Sequence, residues 1–112
     1  MKPPNRNDTA ERAGRPWSVS THRAVEDVIA EHGIDSPVFR ATIRVLFEKL
    51  RENPKQYPKK QGRLGGVRAA DVTFADGVVW RAVFAIDEAA RRVTVAALAP
   101  HDRAYKDAER RL

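Results

Sequence analysis

The chain has 112 residues, 42% of them hydrophobic and 32% charged, with a formal net charge of +6, which leaves room for one folded unit and excludes collagen-like and wholly disordered classes. It has no cysteine and only three histidines (His22, His32, His101), so disulfides, a thiolate nucleophile and Cys-based zinc sites are excluded, and neither metal nor cofactor is expected. No stretch approaches the roughly 18 apolar residues of a membrane span, and no apolar run follows the N-terminal basic residues as in a signal peptide, so the expectation is a cytoplasmic protein with no membrane partner.

Residues 1–15 combine Pro, Asn, Gly and mixed charges with apolar side chains only at Met1, Ala10 and Ala13, too few to offset the entropy of ordering them. They read as a flexible tail before a single domain over residues 16–112. Pro16-Trp17-Ser18-Val19-Ser20 alternates large apolar with small polar side chains, the period of a half-buried strand, with Pro placed where a strand starts. Thr21 is the expected N-cap of a helix carrying Val25, Val28 and Ile29 on one face and ending at Gly33, a residue suited to a left-handed cap. Ser36-Pro37 marks a second helix start. Phe39, Ile43, Leu46, Phe47 and Leu50 recur there at helical spacing, and Asn53-Pro54 stops the run.

Residues 55–68 form a basic loop: Lys55, Lys59, Lys60, Arg63 and Arg68 with no acid among them, broken by Pro and Gly. Residues 67–74 and 78–86 are rich in β-branched and aromatic side chains. The Asp76-Gly77 pair between them has the residue types of a tight hairpin turn. In the second of these strands Trp80, Ala82, Phe84 and Ile86 share one face and Val79, Arg81, Val83 and Ala85 the other, so Arg81 projects from a largely apolar face. Residues 92–98 add a third strand after a short polar loop, which favours an antiparallel meander. Pro100 ends it. Asp102 is the expected cap of a short final helix with Tyr105, Ala108 and Leu112 on one face.

The result is an α+β order of N-terminal strand, two helices, antiparallel three-stranded meander and short C-terminal helix. With the strings Leu46-Phe47-Glu48-Lys49-Leu50, Leu64-Gly65-Gly66-Val67-Arg68, Val79-Trp80-Arg81-Ala82-Val83-Phe84 and Pro100-His101-Asp102 followed by Tyr105, it resembles the RelE/ParE family of bacterial toxins over residues 16–112. The resemblance implies the toxin of a type II toxin–antitoxin system, neutralised by a cognate antitoxin that lays a helix or strand over it. RelE-like members cut mRNA on the ribosome and ParE-like members poison DNA gyrase; the shared scaffold does not choose between them.

Metal-independent RNA cleavage by the neighbouring 2′-hydroxyl needs a base, an acid for the leaving 5′-oxygen, and fixed cations for the phosphorane charge. The resemblance assigns Arg81 to phosphate binding, His101 to proton transfer, for which a free pKa of about 6.5 suits it, and Tyr105 to base stacking or the reaction itself. Lys59, Lys60, Arg63, Arg68 and Arg103 would contact phosphates. His22 and His32 read as helix-surface residues, and Trp80 as core. One departure stands out. Where ribonuclease members carry two basic residues on alternate positions of a strand, this chain has Ala69-Ala70-Asp71-Val72-Thr73-Phe74, with Arg68 the only cation. Arg81, His101, Tyr105 and the basic loop make a ribosome-dependent mRNA endoribonuclease inhibiting translation the leading expectation; the missing strand cations weigh towards the alternatives, a gyrase poison and a non-catalytic RNA-binding module.

Overall fold

The computed structural model describes residues 16–60, 66–74 and 76–112; the expected tail and Arg63 lie outside them. Strand β1 (Ser18–Thr21) is followed by helices α1 (Arg23–Gly33) and α2 (Pro37–Glu52) and a single 3₁₀ turn (Pro54–Gln56). Strands β2 (Arg68–Thr73), β3 (Val79–Asp87) and β4 (Arg92–Pro100) come next, and helix α3 (His101–Arg111) follows. The sheet order is β1-β4-β3-β2, with β2, β3 and β4 forming the antiparallel meander and β1 joining β4 in parallel. No helix among the described residues is long and apolar enough to cross a membrane.

Alternation along the strands gives the sheet two apolar faces. One carries Ala70, Val72, Ala82, Phe84, Val93 and Val95, and is covered by Val25 of α1 and by Phe39, Ile43, Leu46 and Leu50 of α2. The other carries Val83, Ala97 and Ala99 and receives Ala104 and Ala108 of α3. These are small side chains, so α3 can approach the sheet closely. Opposite Val83 and Phe84, β4 contains a bulge: Val83 faces Ala97 and Phe84 faces Val95, leaving Ala96 as the extra residue. The Ala96 carbonyl accepts instead from Arg111 Nη1 at 2.9 Å, which fastens the end of α3 to the sheet.

Local chemistry explains the boundaries, with three corrections to the expected caps. Ser36 caps α2 as anticipated, its Oγ accepting from the Phe39 N–H at 3.1 Å with Pro37 in the first turn. For α1 the cap is His22 rather than Thr21: the imidazole Nδ1 accepts from Ala24 N–H at 3.0 Å, while the Thr21 hydroxyl donates to Glu26. Gly33 closes α1 without a left-handed residue, because α2 follows almost at once and the Arg40 guanidinium donates to the Gly33 carbonyl. A Cβ on Gly33 would stand 3.0 Å from the Arg40 stem, so close approach is what this position requires. Helix α3 begins at His101 with no side-chain cap; Asp102 already lies in its first turn. Its covered face is Ala104, Ala108 and part of Tyr105, and Leu112 is exposed, because a helix seated on alanines tilts its larger residues to the rim.

Candidate functional site

The apolar face under α3 is wider than the helix. Beside α3, a cleft of about 450 Å³ opens over β2 and β3, floored by Ala69, Asp71 and Arg81 and walled by Tyr105 on one side and by Tyr57, Pro58, Lys59 and Lys60 on the other. The second wall is held in place by hydrogen bonds. The Arg68 guanidinium donates to the Tyr57 carbonyl at 2.6 Å and the Lys55 carbonyl at 3.3 Å, and the Lys60 N–H donates to the Val67 carbonyl at 2.7 Å. The Tyr57 ring lies edge-on to Phe84 at 5.9 Å, and burial raises its phenol pKa.

Arg81 stands at the centre of the floor, its side chain 18% exposed. Its guanidinium carbon lies 5.1 Å from the Tyr105 ring centroid, and the Lys60 ammonium lies 4.5 Å from the same ring. Directly across the ladder is Asp71, whose carboxylate receives Nε at 2.6 Å and Nη2 at 3.1 Å, a side-on bidentate pair. The Arg81 hydrogen bond, and secondarily the charges of Arg81 and His101, hold the Asp71 carboxyl below its ordinary pKa despite opposing desolvation. In return the pair raises the Arg81 pKa.

The remaining candidates are distributed around this centre. His101 opens α3, half-exposed, with Nδ1 3.5 Å from Asp102; it directly follows Pro100, which pairs with Trp80 next to Arg81, and lies outside the lining of the cleft. Arg103 sits 3.6 Å from Asp107, a buried carboxylate that also receives Arg110 at 2.8 Å. Arg68 is committed to the carbonyls of the wall, and Lys55 to Glu88 at 2.6 Å, where it holds that carboxyl below its ordinary value. The structure therefore gathers Arg81, Tyr105, Lys59 and Lys60 into one cleft, sets His101 nearby, and turns Arg68 and Arg103 to other partners.

Asp71 is the participant that sequence reading did not assign. The signal was the hairpin register. A two-residue Asp76-Gly77 turn would put Val72 opposite Arg81 and send Asp71 to the other face. The turn instead runs from Phe74 to Val78, closed by Phe74 N–H to the Val78 carbonyl at 3.1 Å, with Gly77 at φ 83° and Asp76 accepting from the Val78 N–H. One more residue in the loop brings Asp71 onto Arg81.

His32 is exposed on α1 and Trp80 packs against the main core, as expected. On the opposite sheet face the His32 ring meets Trp80 at 5.0 Å and Phe39 at 5.6 Å, and Phe74 stacks on Phe39 at 4.8 Å. Together they border a second cleft of about 280 Å³. Trp80 is thus partly buried core with one edge at the surface.

No protein-family model matches the sequence, and no curated protein matches it. Among solved structures, the fold is similar to a chain of the toxin–antitoxin complex RelBE2 from Mycobacterium tuberculosis, with a TM-score of 0.55 and 16% identity over 77% of this chain and 92% of that one. The likeness extends to the α+β architecture and identifies the fold as RelE-like.

Proposed function

We propose that this chain is the toxin of a type II toxin–antitoxin pair and acts as a metal-independent endoribonuclease on ribosome-bound mRNA. The observation that carries the reading is the cleft in which Arg81, Lys59 and Lys60 converge beside Tyr105, in a fold that RelBE2 shares. Three cations with a single opposing carboxylate among the described lining residues suit a polyanion, and the Tyr105 ring suits the π-face of an unpaired base.

In this reading the 2′-oxygen attacks phosphorus, the bond to the 5′-oxygen breaks, and a cyclic phosphate and a 5′-hydroxyl result. Lys59, Lys60 and the outer edge of Arg81 offset the added negative charge. His101, half-exposed at the head of α3, supplies or removes a proton. Tyr105, with two cations near its ring, orients the base or its phosphate. A cognate antitoxin is the expected protein partner.

Induced expression of the wild type, Arg81→Ala and His101→Ala, with pulse labelling of protein and DNA synthesis, tests this. Growth arrest with protein synthesis failing first, relieved by both substitutions, is the expected result. Early failure of DNA synthesis would replace it with gyrase poisoning. A second reading, a non-catalytic RNA-binding module, is favoured by one observation: Asp71 already engages Arg81. It predicts salt-sensitive RNA binding without cleavage in a translating extract.

A further inference from the structure

We propose that Asp71 is a built-in competitor for the anion site: its carboxylate occupies the fork of Arg81 that a phosphate would take, and so sets the affinity of the cleft for single-stranded RNA. The inference rests on the cleft being a phosphate-binding surface, and is independent of whether the RNA is cut.

A guanidinium offers two bidentate edges, Nε with Nη2 and Nη1 with Nη2, and either matches two oxygens of a carboxylate or phosphate. Asp71 takes the first edge at 2.6 and 3.1 Å. It does so from the directly opposed position on β2, so the backbone ladder presents it without the entropic cost of ordering a ligand. Among the described residues lining the cleft it is the only acid, facing Lys59, Lys60 and Arg81. Exposure makes the exchange feasible: the Asp71 side chain is 49% exposed and can swing into water, whereas Arg81, at 18%, is held by the sheet and by Tyr105. Asp71, an ordinary carboxylate held further towards its ionised form by Arg81, competes as a full anion at neutral pH. An RNA phosphate must therefore displace a tethered carboxylate or use the second edge alone.

Binding of a fluorescent 2′-O-methyl hexauridylate, which lacks the attacking hydroxyl, tests the inference. Anisotropy would be followed for the wild type, Asp71→Asn, Arg81→Ala, the double variant, and Glu31→Gln, a charge control on the exposed surface of α1. Asp71→Asn is expected to bind roughly tenfold more tightly, with the log–log salt slope steeper by about 0.7, the increment for one added phosphate contact on a single strand. Glu31→Gln should gain less than twofold, and the Asp71→Asn gain should vanish in the Arg81→Ala background. A gain no larger than that of Glu31→Gln, or one that survives loss of Arg81, overturns the proposal. Asp71→Ser serves as a second variant if Asp71→Asn does not fold, with the same expected sign. The Arg81 Nε–H resonance gives a direct readout: inorganic phosphate should shift it more in Asp71→Asn than in the wild type, and equal shifts count against competition. Tighter binding by Asp71→Asn with no cleavage by any variant keeps the competitor and removes the nuclease. Wild-type cleavage with no effect of Asp71→Asn on binding does the reverse.

Discussion

At the scale of single residues, the Asp71–Arg81 pair ties stability to pH. The folded-state pKa of Asp71 is depressed below its unfolded value of about 3.9, so the pair contributes fully above that value and its contribution is lost as pH falls through the lower folded value. Half-exposure limits the amount to roughly 1 kcal/mol or less. Asp71→Asn should therefore be slightly less stable than wild type in urea at pH 7, and the two curves should converge in acid; a gap that does not narrow as pH falls would contradict this. The same residues show how much of the site the sequence revealed. Strand alternation alone put Arg81 on the face that became the cleft, and the acid-free run contributed Lys59 and Lys60. Sequence reading could not find the acids that pair with these cations, because Glu88, in the turn between β3 and β4, and Asp71, on β2, meet Lys55 and Arg81 only once the sheet is assembled.

At the scale of elements, caps and bulges anchor the layers. Ser36 is the single side-chain cap of α2, so Ser36→Ala should cost about 1 kcal/mol, measured by chemical denaturation, while Ser36→Asn should cost little. Arg111→Ala removes the partner of a carbonyl on a bulge residue that is 1% exposed, and should cost about 1–3 kcal/mol. It should also speed amide exchange at the end of α3, and unchanged exchange there would mean the bulge is satisfied otherwise. Elements with strong local chemistry were legible in the sequence: α2, with its Ser-Pro start, apolar stripe and Asn-Pro stop, has the expected bounds. Elements fixed by tertiary contacts were less so. Gly33 answers to the Arg40 side chain rather than to its own backbone preference, and α3 sits where small residues of β4 let it, regardless of Asp102.

At the scale of the molecule, one strand serves both cores. Val83 and Phe84 are consecutive and fully buried on opposite faces of β3, so damage to one layer is transmitted to the other. Phe84→Ala should destabilise by about 3–5 kcal/mol, and because the Tyr57 ring rests on Phe84 it should also raise proteolysis at residues 54–60 under native conditions. Protection of that segment unchanged from wild type would show that the Arg68 hydrogen bonds hold the wall alone. The meander was legible as a succession of local turns, whereas the parallel seat of β1 on β4 was not, since nothing nearby in the chain encodes it. That pairing has a temporal consequence. Ser18 sits against Arg92 and Thr21 against Val95, so the first strand made must wait for the last before it gains a neighbour. A nascent chain emerging from a ribosome cannot complete this sheet until β4 is outside the exit tunnel, and long-range closure of that kind is slow. A partner that recognises the assembled sheet therefore meets no mature target until β4 has left the tunnel.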